Sequence, residues 1–284
     1  MTKLIKEDIR TEEVFEWRGL NLIHFSGSSC SQKTRIFLNL KGIDWVSHHV
    51  DLSSGENHSD WFLGINPRGL VPILVDDGEV HIESNDIIQY LEEKFPEPKL
   101  IPEGYKTLTS ELLKEEDDLH LDIRNVSFRF LFGKLARKRP SSIKKFEDYE
   151  GTIEGKGDSH KVKEVNFYND FLKQGIPVDA LKQSVTKFIK VYERFEQDLA
   201  NQEFLLGEEV SVLDIAWFIY THRLDLAGYD FKKRHRAVYN WYLNLLGKEA
   251  FKKEIEEPFI LKAVRSSIRL KDIVSGSTLK HLSS

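Results

Sequence analysis

NPRGLVPILVDDGEVHIESNDIIQY, residues Asn66 to Tyr90, is the stretch that decides how this chain folds. Ile73-Leu74-Val75 and Val80-His81-Ile82 are short runs of strand-forming residues, and the Asp76-Asp77-Gly78-Glu79 between them contains an Asp-Gly pair, a strong hairpin signal. A helix follows at once: Ile87, Ile88, Leu91 and Phe95 recur at helical spacing, and Ser84 stands where a cap belongs. Val71-Pro72 lies just ahead of the first strand, where a residue without an N–H is tolerated and a cis bond is permitted. The unit is strand, turn, strand, helix.

Upstream, Leu20 to Phe25 alternates as a strand, Ser26 to Ser29 forms a polar turn, and a helical run with Ile36, Leu38 and Leu40 ends at Gly42, a favourable residue just past a helix. Ile43 to Val50 resumes strand character. The resulting βαβ, with its right-handed crossover, predicts parallel strands. A short helix is expected over Asn57 to Gly64, and residues 1–19, charged and weakly periodic, read as an extension that either lies over the domain at 20–96 or is partly disordered. Downstream, Pro96, Pro98 and Pro102 end the helix and mark a linker at 97–106. Strand signals then vanish. Residues 107–137, 178–200, 211–225 and 235–256 are helical in pattern, so 107–274 is expected to be an all-α bundle. Pro140, Gly151, Gly155 and Gly157 break the pattern, and 138–175 reads as an insertion or mobile loop within that bundle; the serine-rich 275–284 reads as a flexible tail. Ser211-Val212-Leu213-Asp214 has capping-box spacing.

The 284 residues are 40% hydrophobic and 31% charged, enough apolar material for one large or two ordinary domains. A net charge of −5 supplies no global field for nucleic acid or an anionic membrane. Arg137-Lys138-Arg139 and Lys144-Lys145 are locally basic, but Glu147, Asp148 and Glu150 follow directly, as on a solvated surface. The single cysteine, Cys30, excludes an intramolecular disulfide framework and a cysteine-cluster metal site. The histidines show no paired ligand spacing, so no metal is expected. The first residues lack the apolar core of a signal peptide and no run of about 18 apolar residues occurs, so a cytoplasmic protein is expected.

The order Val-Pro, hairpin, Glu-Ser, helix resembles the glutathione-binding half of glutathione transferases. The resemblance implies a thioredoxin-like N-terminal domain followed by an all-α C-terminal domain, and a homodimer. It implies that Val71, preceding Pro72, offers its main-chain N–H and C=O to the cysteinyl part of glutathione. Glu83 would hold the γ-glutamyl ammonium, and Ser84 with the helix N-terminus its carboxylate, which suits the unpaired N–H donors and partial positive charge found there. Leu206 to Ser211 also matches the family's C-terminal capping motif, whose role is folding.

SSCSQKTRIFLNLKG, residues Ser28 to Gly42, resembles the SSCxWRVRIAL motif of zeta-class transferases. It places Ser28, Ser29 and Cys30 on the catalytic serine-serine-cysteine, and Lys33 and Arg35 on two arginines; Gln32, Lys33 and Thr34 depart from the pattern. A longer resemblance, to bacterial β-aryl ether-cleaving etherases, runs through His58 to Phe62, Ile65-Asn66-Pro67-Arg68-Gly69, and Gln174 to Pro177. Within it Arg68 joins the binding residues and the active-site serine falls near Ser31. The candidate catalytic residues are therefore Ser28, Ser29, Cys30 and Ser31.

The chemistry common to these readings is thiol activation. A free thiol of pKa about 8.5 is only about 3% thiolate at neutral pH, and lowering that pKa by about two units takes about 2.7 kcal/mol of preferential thiolate stabilisation. A serine hydroxyl and a helix N-terminus can supply it. The expected reaction is attack of glutathione thiolate on a bulky apolar or aromatic electrophile, with Phe128, Phe130 and Phe132 as candidate pocket residues. The alternatives are zeta-type maleylacetoacetate isomerisation, a glutathione-binding or regulatory module without turnover, and a thiol reductase acting through Cys30.

Overall fold

In the computed structural model, which describes residues 2–282, the chain opens with β1 (Thr2–Lys3), β2 (Leu20–His24), α1 (Ser29–Lys41), β3 (Val46–His49), α2 (Asp60–Leu63), β4 (Ile73–Asp76), β5 (Glu79–Ile82) and α3 (Ser84–Lys94). There follow α4 (Lys106–Asp118), α5 (His120–Ser127), α6 (Pro140–Asp148), α7 (Ser159–Gln174), α8 (Val178–Asp198), α9 (Val212–Ala227), α10 (Phe231–Arg234), α11 (Arg236–Leu246), α12 (Glu249–Lys252), α13 (Phe259–Ser275) and α14 (Leu279–Leu282). The chain divides into two units, Met1–Pro96 with Arg137–Gly175, and Glu97–Ala136 with Ile176–Ser284.

The first unit is a mixed sheet of order β1-β5-β4-β2-β3. Its hairpin is the one the Asp-Gly pair announces: Asp76 faces Glu79, and Asp77 and Gly78 between them take φ of 48° and 86°, the two left-handed residues of a type I′ turn. Gly78 is required twice over, because a Cβ there would lie 2.7 Å from the Phe15 carbonyl oxygen. β2 runs parallel to β3, as the βαβ reading expects, and antiparallel to β4. All four residues of β4 are buried, so both faces of the sheet are covered. Ile23, Ile73, Val75, Val80 and Ile82 cluster with Phe62 and Ile65 and with Leu4, Ile9 and Val14. The N-terminal segment therefore completes this core, and β1 adds a strand to the edge of β5. α1 ends at Gly42 in the left-handed conformation (φ 63°).

Residues 137–175 group with the first unit rather than with the helical one. In place of an irregular loop they carry α6 and α7, from which Ile143, Phe146 and Val165 pack with Leu63. His58 stacks on Phe146 at 4.6 Å, and Lys138 Nζ donates to Asn57 Oδ1 (2.7 Å).

The second unit is built of helices, with an isolated bridge between Phe204 and Gly207 in the connection from α8 to α9. α5 packs on α8 and α9, and Phe188, Tyr192, Trp217, Tyr220 and Phe231 are among its largest fully buried side chains. The stretch 107–137, helical in pattern, is divided into α4, α5, a π-helical turn at Phe128–Phe132 and a 3-10 turn at Gly133–Ala136. Of the three phenylalanines expected to line a pocket, Phe130 is instead buried in the core, while Phe128 and Phe132 meet edge to face at 6.3 Å. The capping box is present: Ser211 N–H donates to Asp214 Oδ2 (2.8 Å), and the buried carboxylate also accepts from Leu205 N–H (2.9 Å) and Trp241 Nε1 (2.8 Å). The segment read as a flexible tail is docked as far as it is described: Leu279 is fully buried and α14 packs on α8, while Ser283 and Ser284 lie outside the described residues. Among the described residues no helix is long and apolar enough to cross a membrane, and no group of three or more His, Cys, Asp or Glu is placed to hold a metal ion.

Candidate functional site

Strand register brings the candidate residues to one end of the sheet. Ile23 near the end of β2 pairs with Ile73 at the start of β4, and Ile73 pairs with Ile82 at the end of β5. The turn after β2, the Val71-Pro72 segment before β4 and Glu83-Ser84 after β5 therefore share that end. So do the N-termini of α1 and α3, which pack together and are tied by Lys33 Nζ donating to Asn85 Oδ1 (2.7 Å).

At α1, Ser28 is the N-cap, its Oγ accepting from Ser31 N–H at 3.3 Å. A hydroxyl that caps as an acceptor keeps its own proton for a further acceptor. Ser29 is the first helical residue, half-buried, and among the described residues none bonds to its hydroxyl. Cys30 is half-buried on the same first turn and forms no disulfide. Ser31 is different: it is fully buried, and its Oγ accepts from Phe25 N–H (3.4 Å), which holds the turn from inside.

Arg35 fixes the same turn from below. Its buried guanidinium donates to the carbonyls of Phe25 (3.3 Å) and Ser26 (3.2 Å) and contacts His24 Nδ1 (3.1 Å). Burial first, and the neighbouring Arg35 charge second, push His24 down to about 4. The ring is thus neutral at pH 7, and since Arg35 can only donate, His24 Nδ1 accepts and Nε2 donates to Ser47 Oγ (2.8 Å). Lys33 is also buried. Arg35 and Lys33 are thus both turned inward, one onto the turn and one onto α3.

Asn66-Pro67-Arg68-Gly69 is a compact turn feeding Val71. Asn66 Oδ1 accepts from Arg68 N–H (3.1 Å), Asn66 Nδ2 donates to Leu70 O (2.9 Å), and Gly69 takes φ 65°. The Val71–Pro72 peptide is cis, and Val71 stands just outside the strand ladder, whose β2–β4 pairing begins at Ile73. Ser84, read as a possible cap, is instead the first residue of α3. Glu83 occupies the N-cap position with φ 67° and makes no capping bond, an uncommon conformation for a residue with a Cβ. Its carboxylate is held by Arg68, Nη1 to Oε1 at 2.6 Å. The opposite edge of the Arg68 guanidinium, Nε, is hydrogen-bonded to Asp158 Oδ2, and Asp158 Oδ1 caps α7 through His160 N–H (3.0 Å). Burial works to raise the Asp158 pKa, but the bonds from Arg68 and His160 outweigh it and hold the carboxyl below its usual value.

Sequence reasoning missed Asp158 and the turn-holding role of Arg35. The spacing Asp158-Ser159-His160 before a helical run is a capping signal and was available; nothing in it points to Arg68.

The family descriptions for the glutathione S-transferase N-terminal and C-terminal domains match residues 27–94 and 178–243. Protein LigF of Sphingobium sp. is 31% identical over 217 residues, 74% of this chain and 80% of LigF. A zeta-class glutathione S-transferase of Euphorbia esula is 48% identical over 83 residues, but the match spans only 37% of that protein and 29% of this chain. Among solved structures, β-etherase LigF superposes with a TM-score of 0.67 at 26% identity, covering 84% of this chain and 99% of that one. The chain belongs to the glutathione transferase family.

Proposed function

We propose that the chain is a glutathione-dependent transferase whose first unit binds glutathione and activates its thiol for attack on a bulky apolar or aromatic electrophile. One observation carries the reading: the Ser28-Ser29 turn, the Val71 main chain and the Glu83-Ser84 start of α3 meet at a single end of the sheet. Val71 N–H and C=O pair with the cysteinyl backbone. Glu83 takes the γ-glutamyl ammonium, and the Ser84 hydroxyl with the first N–H groups of α3 takes its carboxylate. The thiolate lies at the start of α1, where the helix dipole and a hydroxyl of Ser28 or Ser29 stabilise it.

With an aryl ether, a C–S bond forms as the C–O bond breaks, and the phenolate leaves and takes up a proton. With an aryl or alkyl halide, halide leaves. Similarity to β-etherase LigF over most of both chains favours this electrophile class. The inward-facing Lys33 and Arg35 speak against a site built for a small dianion. A homodimer and a cytoplasmic location belong to the same proposal.

The test is turnover with glutathione on an aryl ether, an aryl halide and maleylacetoacetate side by side. Conjugation or ether cleavage with little isomerisation is the expected result. Efficient isomerisation alone overturns the electrophile class, binding without turnover on any substrate makes the protein a glutathione-binding module, and a glutathione adduct on Cys30 after oxidised glutathione makes it a thiol reductase.

A further inference from the structure

Glu83 does not stand alone at the start of α3. It is the outer member of a chain of three charges, Glu83–Arg68–Asp158, whose last member belongs to the helical insertion. The side chains of Arg68 and Asp158 are 19% and 16% exposed against 37% for Glu83, so the chain of charges runs from the protein interior outward to the Glu83 carboxylate.

The charge count explains why a third member matters. An Arg68–Glu83 pair by itself is neutral and attracts an ammonium weakly, whereas the triad carries one net negative charge and does so in a partly desolvated place, where Coulombic attraction is less screened than in water. Geometry points the same way. A guanidinium prefers to grip a carboxylate with two parallel N–H bonds. Here Nε is committed to Asp158 and Nη1 reaches a single oxygen of Glu83, so the second Glu83 oxygen has no bond from Arg68. Released from Asp158, Arg68 is free to take both oxygens and cover the lone pairs that an ammonium needs.

We propose that Asp158 is a positioning residue for glutathione: by holding the far edge of Arg68 it keeps Glu83 net-anionic and half-open for the γ-glutamyl ammonium, so that the insertion sets the affinity of a site it does not touch. This rests on the assignment of Glu83 to the ammonium in the reading above. It gives residues 137–175 a role in recognition of the co-substrate, through α7 capped by the same carboxylate.

Isothermal titration calorimetry on the full chain tests it with two probes, glutathione and glutaryl-cysteinyl-glycine, which lacks only the γ-glutamyl amino group. The wild-type protein is expected to prefer glutathione about tenfold or more. Asp158→Asn, which keeps a capping oxygen for α7, is expected to weaken glutathione about tenfold, or about 1.4 kcal/mol, and the analogue less than about twofold. Asp158→Ser, neutral and also a capping residue, serves equally if the asparagine variant folds poorly. In an Arg68→Gln background the Asp158→Asn effect is expected to vanish, since the two act through one contact. Equal weakening of both probes, or a preserved preference in Asp158→Asn, overturns the proposal while leaving the Glu83 assignment intact. A wild-type protein that binds both probes equally overturns the Glu83 assignment and the proposal with it.

Discussion

Replacing Ser28 and Ser29 singly by alanine separates two jobs that neighbouring hydroxyls do at the start of α1. Ser28 accepts from Ser31 N–H at 3.3 Å, longer than the usual 2.9–3.0 Å, so its capping contribution falls at the low end of the known range, about 0.5–1 kcal/mol. For a chain of this size that is a fall in Tm of roughly 1–4 °C. Ser29 makes no such bond and alanine is the better helix former, so Ser29→Ala should leave Tm unchanged or slightly raised. Thiol activation is read separately, from the ultraviolet absorbance of the thiolate of bound glutathione as pH is varied. Losing one charge-assisted hydrogen bond, about 1.5–3 kcal/mol, raises the thiol pKa by about 1–2 units. If Ser28 is the donor, one variant shows both effects; if Ser29 is, the pKa moves and Tm does not. Should both variants bind glutathione with a thiol pKa within about half a unit of wild type, neither hydroxyl is the thiolate's partner and the activation argument fails.

Two further outcomes follow from buried groups. Asp214→Ala strips Leu205 N–H, Ser211 N–H and Trp241 Nε1 of a buried acceptor and should cost roughly 3–5 kcal/mol in urea unfolding monitored by tryptophan fluorescence; a loss below about 1 kcal/mol would mean the carboxylate is dispensable. His24 and His58 are both pushed down to about 4, by burial first and then by Arg35 and Lys138 respectively, so both are neutral in the fold at pH values where the unfolded chain protonates them. Between the unfolded value of 6.5 and about 4 the unfolded state binds more protons, and stability should fall with falling pH, by at most about 1.4 kcal/mol per pH unit for each histidine. His58→Gln, which can still donate to the Ser142 carbonyl that His58 Nδ1 meets at 3.0 Å, should flatten that dependence; an unchanged slope would show that His58 does not cause it.

What the sequence disclosed was local. The Asp77-Gly78 turn, Gly42 behind α1 and the Ser211–Asp214 box each depend on a few adjacent residues whose backbone chemistry is specific to one conformation, and each forms as read. The serine turn and the Glu83-Ser84 start of α3 were legible for the same reason. Periodicity failed where its contrast was lost. Phe128 to Phe132 is apolar on every side except Arg129, so the π-helical turn leaves no trace in the pattern. In 138–175 the glycines sit between two helices and not within them, and α6 anchors itself with only Ile143 and Phe146, too few to show a stripe. Contacts across long separations were out of reach altogether. Arg68 and Asp158 lie 90 residues apart, and no propensity rule joins them. The left-handed φ of Glu83 was equally silent, since it is imposed by its place between β5 and α3.

The N-terminal segment also settles how this sheet behaves toward other chains. A strand at the margin of a sheet carries a row of unpaired N–H and C=O groups, an invitation to any extended peptide that drifts past. Here Thr2 and Lys3 lie along β5, opposite Ile82 and His81, and Leu4 N–H continues the contact to the Val80 carbonyl at 2.9 Å. The same segment then crosses the sheet and lays the Trp17 ring flat on His48 of β3, 4.1 Å away and within 8° of parallel. One short run of chain thus leaves only the two-residue β1 at the β5 margin, and because its Leu4, Ile9 and Val14 also sit in the core, a protein trimmed to begin at β2 would bare β5 to neighbouring chains and lose part of the packing behind it.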